Sequence, residues 1–89
     1  MTTPEKFLKR LMDGVTDKDI SFSELCTCLN RLGFEERIHG DHHIFIKEGI
    51  EEILNLQPKG THAKPYQVKQ VRNLLRKYRL DQNIKASKA

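Results

Sequence analysis

The chain has no tryptophan, only two cysteines, and just six aromatic rings besides histidine. Its core must therefore be built mainly from Leu, Ile and Val. At 89 residues it is one domain and buries a smaller fraction of its surface than a larger one would. That leaves no room for a deep enclosed substrate cavity, so large, extended ligands bound on the outside fit better. No apolar run approaches the ~20 residues that span a bilayer, and no charged segment followed by an apolar run opens the chain. The expectation is a cytoplasmic protein without membrane contact. Cys26 and Cys28 lie two apart, roughly 200° around a helix. They cannot pair there or easily share a metal, so both are expected as small core or boundary residues. Nothing implies an oxidising compartment.

Acidic residues are scarce at one end. Residues 1–58 carry seven Lys/Arg against eleven Asp/Glu, whereas residues 59–89 carry nine against Asp81 alone. The halves balance at −4 and +8, within a net charge of +4. A basic end suggests an anionic polymer, because Lys and Arg displace condensed counterions from phosphates. A solvated basic face is the plainer alternative.

The spacing predicts a helix over residues 4–13, capped by Thr3, opened by Pro4 and ended by Gly14, with Phe7, Leu8, Leu11, Met12 and Val15 on one face. Residues 16–20 read as a polar connector. Ser21 and Glu24 form a capping box with Ile20 and Leu25 as its hydrophobic staple. Phe22, Leu25, Cys26, Leu29 and Leu32 keep helical spacing until Gly33, with Phe34 beyond it. The period then shortens to two. Strands are expected over 34–39, 42–47 and 51–57, with turns at Gly40-Asp41 and Glu48-Gly49 and a stop at Pro58.

Residues 58–65 read as a loop, and a last helix is expected over about 65–80. Val68, Val71, Leu75 and Tyr78 form its apolar stripe, and Lys69, Arg72, Arg76 and Arg79 a basic stripe about 100° around it. Residues 81–89 are expected to be a disordered tail. The fold class is α+β, in the order α-α-β-β-β-α, with a three-stranded antiparallel sheet carrying helices on one face. The α-β-β-β-α core after residue 20 is the arrangement of a double-stranded-RNA-binding domain.

The informative stretch is Gly40-Asp41-His42-His43-Ile44-Phe45, preceded by the helix end Leu29-Asn30-Arg31-Leu32-Gly33-Phe34. These residues resemble the HicA toxins of bacterial toxin–antitoxin modules, whose motif is Gly-Ser-His followed two residues later by an aromatic at the start of the second strand. The resemblance covers residues 21–80, so residues 1–20 are an extra helix and connector within a single domain of residues 1–80. It implies a dsRBD-like fold and a metal-independent endoribonuclease that cleaves mRNA as the toxin of a type II module. A HicB-like antitoxin would be its partner, and the chain would be monomeric without it. The family's histidine maps onto His42, with Phe45 as the aromatic. The family's Ser is Asp41 here, a residue that also simply suits a Gly-containing turn. A carboxylate at that position stabilises an imidazolium and repels a phosphate.

Alternation supports His42 in part. His43 shares a face with Phe45, leaving His42 exposed if Phe45 packs under the helices. Ile44 and Ile46 share the face of His42, and if they are the core the site residue is His43 instead. RNA supplies its own nucleophile, the 2′-hydroxyl, so the protein needs a group to take that proton, one to protonate the leaving 5′-oxygen, and positive charge. A histidine titrates near neutrality and does either proton job, contributing ~10²–10⁴-fold. Lys59 and Lys64 are candidates for charge stabilisation, and His62 and Tyr66 for the second acid–base group.

Lys59, Lys64, Lys69, Arg72, Arg76 and Arg79 are the expected RNA contacts. His39 and His62 read as surface residues. A zinc site from His39, His42 and His43 is disfavoured because alternation points the last two apart, and no metal or cofactor is expected. The competing functions are a non-catalytic RNA-binding domain of the same fold and a protein-interaction domain whose basic face meets an acidic partner.

Overall fold

Helix α1, Pro4–Asp13, starts where Thr3 Oγ accepts the Lys6 N–H at 3.2 Å, and ends at Gly14, whose φ of 74° is left-handed. The computed structural model describes residues 3–82. Phe7, Leu8 and Leu11 are buried and Met12 partly so, but Val15 is 82% exposed. The left-handed turn at Gly14 takes the chain off the helical path, so the spacing that put Val15 on the apolar face no longer applies. The connector holds a short 3-10 turn, Asp17–Asp19, pinned by Arg10, which donates to Thr16 Oγ1 at 2.9 Å and the Asp19 carbonyl at 3.0 Å.

Helix α2, Phe22–Arg31, is capped by Ser21, whose Oγ accepts the Glu24 N–H at 3.3 Å. The staple pair Ile20 and Leu25 is fully buried. At the far end Phe34 N–H reaches the Leu29 carbonyl at 3.0 Å and Gly33 N–H the Asn30 carbonyl at 3.1 Å, with Gly33 at φ 98°. This closes the helix by the two reversed hydrogen bonds that a left-handed glycine allows.

Strands β1, Glu35–His39, and β2, His42–Ile46, form a hairpin with His39 opposite His42 across the Gly40-Asp41 turn. Strand β3, Leu54–Leu56, pairs antiparallel with β2, giving the order β1-β2-β3. The expected third strand thus loses residues 51–53 and 57. The Glu52 carboxylate bonds Lys77 Nζ at 2.7 Å and Tyr78 Oη at 2.6 Å, which draws that stretch toward the last helix and away from β2.

The expected loop 58–65 contains a second hairpin, β4, Pro58–Lys59, with β5, His62–Ala63. Pro58 opens its strand instead of only ending the previous one, as its missing N–H permits at a first strand position. The hairpin is tied down where Phe22 N–H meets the Thr61 carbonyl at 3.0 Å and Ala63 N–H the Ile20 carbonyl at 2.9 Å.

Helix α3, Pro65–Lys77, ends three residues before the expected position. Arg79 turns left-handed at φ 56°, and Leu80, inside a 3-10 turn Leu80–Gln82, is returned to the core at 5% exposure. The expected tail therefore begins with two ordered residues, Asp81 and Gln82. Its remainder, 83–89, lies outside the described residues.

Paired residues share a sheet face. Glu36, Phe45 and Leu54 form one row, and Ile38, His43 and Leu56 the next. Phe45, Leu54 and Leu56 are fully buried in one cluster with the apolar residues of α1, α2 and α3. The described residues thus form a small α+β unit of three α-helices and a three-stranded antiparallel sheet covered on one side. No helix among the described residues is long and apolar enough to cross a membrane.

Candidate functional site

His42 opens β2 immediately after the Gly40-Asp41 turn, and Phe45 is fully buried under the helices. Alternation therefore sets His42 on the uncovered face, where its side chain is 49% exposed. Ile44 and Ile46, on that face too, are half-buried rather than core. Around His42 runs a chain of polar contacts. Asn55 Oδ1 lies 3.1 Å from Nδ1, and Asp41 Oδ1 lies 3.9 Å from Nε2. Gln57 Nε2 donates to the second Asp41 oxygen at 2.7 Å, and Lys64 Nζ donates to Gln57 Oε1 at 3.3 Å.

With the Asn55 oxygen as acceptor, Nδ1 carries the proton and Nε2 is the nitrogen free for proton exchange. Asp41 is too far from Nε2 to hydrogen-bond it, but acts on it as a charge. The Gln57 amide holds the Asp41 carboxyl below its ordinary range, helped by the nearby charges of His42 and Lys64. Asp41 is consequently ionised at neutral pH. The array offers one imidazole, one carboxylate, two amides and one ammonium on an open surface.

His43 occupies the opposite face. Its Nδ1 is 2.7 Å from Glu36 Oε2, and its ring stands edge-on to Phe22 with centroids 4.8 Å apart. Burial raises the Glu36 carboxyl, but the hydrogen bonds from His43 and Asn30 outweigh it and leave the group below its ordinary value. Cys26 and Cys28 are both buried. Burial, reinforced at Cys26 by the Glu36 charge, pushes both thiols up to about 12, so neither is a thiolate nucleophile at neutral pH.

The basic residues do not form one free stripe. Arg72 is 7% exposed and grips Asp17 with two hydrogen bonds, 2.8 and 3.1 Å, while Nη1 also donates to the Leu11 carbonyl at 3.3 Å. Its guanidinium is a tie between α3 and the α1–α2 connector and is withdrawn from the expected RNA contacts. Arg76 is exposed but donates to the Met12 carbonyl at 2.9 Å. Lys69 is exposed on α3, Arg79 is exposed just past its end, and Lys59 is exposed on β4.

Of the two candidates for the second acid–base group, His62 sits on the exposed side of β5 with Nδ1 3.3 Å from Thr61 Oγ1. Tyr66 is 65% exposed at the start of α3. Among the described residues no hydrogen bond joins His62 to the contacts around His42. Tyr66 Oη accepts from Gln67 Nε2 at 3.5 Å, and Gln67 in turn donates to the Asn55 carbonyl and accepts the Gln57 N–H, so Tyr66 meets that chain of contacts through Gln67. His39, opposite His42 in the hairpin, is exposed. Sequence reading missed Asn55, which joins the site through the β2–β3 register, and Gln57, which lies just past β3 and donates its N–H to Gln67 Oε1 of α3 at 3.2 Å. Alternation on a third strand was the available signal, but nothing marked these two amides among other polar residues.

Comparison with protein-family models, with curated proteins and with solved structures finds no match for this chain.

Proposed function

We propose that this chain is an RNA-binding domain with a dsRBD-like fold that acts as a metal-independent endoribonuclease, the toxin of a type II toxin–antitoxin module similar to HicA. The observation that carries the reading is the placement of His42 at the head of β2, on the uncovered sheet face, with Nδ1 engaged by Asn55 and Nε2 left for proton exchange. In this mechanism RNA lies over β2 and β3. The 2′-hydroxyl attacks phosphorus, the 5′-oxygen leaves, and a 2′,3′-cyclic phosphate and a 5′-hydroxyl result. His42 moves one of the two protons and solvent water the other, and Lys64 offsets charge on the phosphorane-like transition state. A HicB-like antitoxin would cover His42 and the half-buried isoleucines beside it.

Asp41 favours a second reading, RNA binding without cleavage, because its ionised carboxylate sits where a scissile phosphate must approach. Single-stranded RNA incubated with the full chain in EDTA separates the two. Cleavage that disappears in His42→Ala supports the nuclease. Retarded but intact RNA supports the binding domain. No retention at low salt refutes both and leaves the interaction domain.

A further inference from the structure

We infer that Cys26, Glu36 and His43 form a binding site for one divalent transition-metal ion, Zn²⁺ by the chemistry of its donors, with water in the fourth position. The thiol sulfur, a carboxylate oxygen and a ring nitrogen lie within 4.8 Å of one another. They come from three elements, α2, β1 and β2, and converge on the helix-covered side of the hairpin. Tetrahedral zinc, with bonds of ~2.3 Å to sulfur and ~2.0–2.2 Å to nitrogen or oxygen, spaces such donor atoms ~3.3–3.7 Å apart. The site reaches that spacing by drawing the sulfur in and opening the 2.7 Å contact between His43 Nδ1 and Glu36 Oε2.

The surroundings are those of a ligand set rather than of a lone cysteine. Cys26 is 8% exposed, and the Glu36 and His43 side chains are each 20% exposed, which leaves an entry path and a place for water. Asn30 orients the carboxylate by donating Nδ2 to Glu36 Oε1 at 3.0 Å, and the same group reaches the Cys26 carbonyl at 3.0 Å. Outer partners of this kind hold metal ligands in place. Sulfur and imidazole select zinc-like ions over Mg²⁺ and Ca²⁺, which need oxygen ligands. On binding, the thiol proton passes to solvent and the ring carries its proton on Nε2. One thiolate, one carboxylate and a neutral imidazole then balance the dication. The ion ties α2 to the hairpin that carries His42 without touching His42, so the inference stands apart from the RNA reading.

The test uses the full chain, reduced and stripped of metal, titrated with Co²⁺ alone. A thiolate-to-cobalt charge-transfer band and tetrahedral visible bands should saturate at one equivalent and vanish on adding Zn²⁺. Zn²⁺ should also raise the melting temperature. Cys26→Ser should lose the charge-transfer band with its circular dichroism unchanged, Cys28→Ser should keep it, and Asn30→Ala should weaken binding ~10–100-fold. If Cys26→Ser does not fold, Glu36→Gln supplies the test and should weaken cobalt binding at least about tenfold. The inference is overturned if the parent shows no thiolate band, if the band survives in Cys26→Ser or disappears in Cys28→Ser, or if Glu36→Gln binds cobalt as the parent does.

Discussion

Replacing Arg72 with alanine distinguishes a structural tie from a phosphate contact on the same helix. The Arg72 side chain is 8% exposed and that of Asp17 is 19% exposed, and their two hydrogen bonds are 2.8 and 3.1 Å long. Removing one partner of a buried pair costs ~3–5 kcal/mol, because the remaining charge has lost its counter-ion but not its burial. Water reaches the Asp17 carboxylate in part, which lowers the expected cost of Arg72→Ala to about 2–4 kcal/mol. For a domain of this size each kcal/mol moves the melting temperature by about 4–8 °C, so a fall of about 8–32 °C is expected. Urea unfolding should show a lower midpoint at unchanged slope. Arg72→Lys should recover little, since an ammonium cannot make the paired contact. The double variant with Asp17→Ala should be less destabilised than the two single effects summed, by about 0.5–3 kcal/mol. A loss under about 0.5 kcal/mol, the range of ordinary surface substitutions, would refute this reasoning. So would a shallower salt dependence of RNA binding at unchanged stability.

His43→Ala loses the Glu36 hydrogen bond and the edge contact with Phe22, and should cost about 2 kcal/mol in thermal or urea melts, whereas His42→Ala should melt like the parent. In low-salt RNA titrations, Lys69→Ala and Arg79→Ala should each shallow the log–log salt slope by up to ~0.7 for single strands, and equal slopes would make them merely solvated cations. The Glu52 carboxyl is held at about 2, first by Lys77 and then by Tyr78, against an ordinary 4.5. A lowered folded value stabilises above the ordinary one and is lost as pH falls through the folded one, so Glu52→Gln should flatten the acid limb of stability between about 4.5 and 2, most visibly at low salt. Gly33→Ala forces a Cβ into φ 98° and to 2.6 Å from Lys47 Nζ. The lysine swings away, so the backbone term of about 1–2 kcal/mol should remain in urea unfolding.

Elements whose signals lie within a few residues were legible in the sequence. The Ser21 cap, the Ile20–Leu25 staple and the Gly33 termination each depend on neighbours no more than six positions away, and they appear as expected. The two-residue period likewise determined that His42 and His43 face opposite ways, with His43 on the side of the buried Phe45. Tertiary structure decided what those patterns could not contain. Lys69, Arg72 and Arg76 share one spacing on α3, and only the docking of the connector, which sets Asp17 against Arg72, makes one of them internal. The 58–63 hairpin has two paired positions and leans on Ile20 and Phe22, too little local pattern to register alone. Asn55 reaches the His42–Asp41 pair through strand register, and Gln57 reaches it from just past β3, where its N–H donates to Gln67 of α3. Cys26, Glu36 and His43 look unrelated along the chain because their convergence needs α2 packed on the β1–β2 hairpin. Hydrophobic packing and strand pairing between distant segments bring these groups together, and no short window of sequence holds both partners.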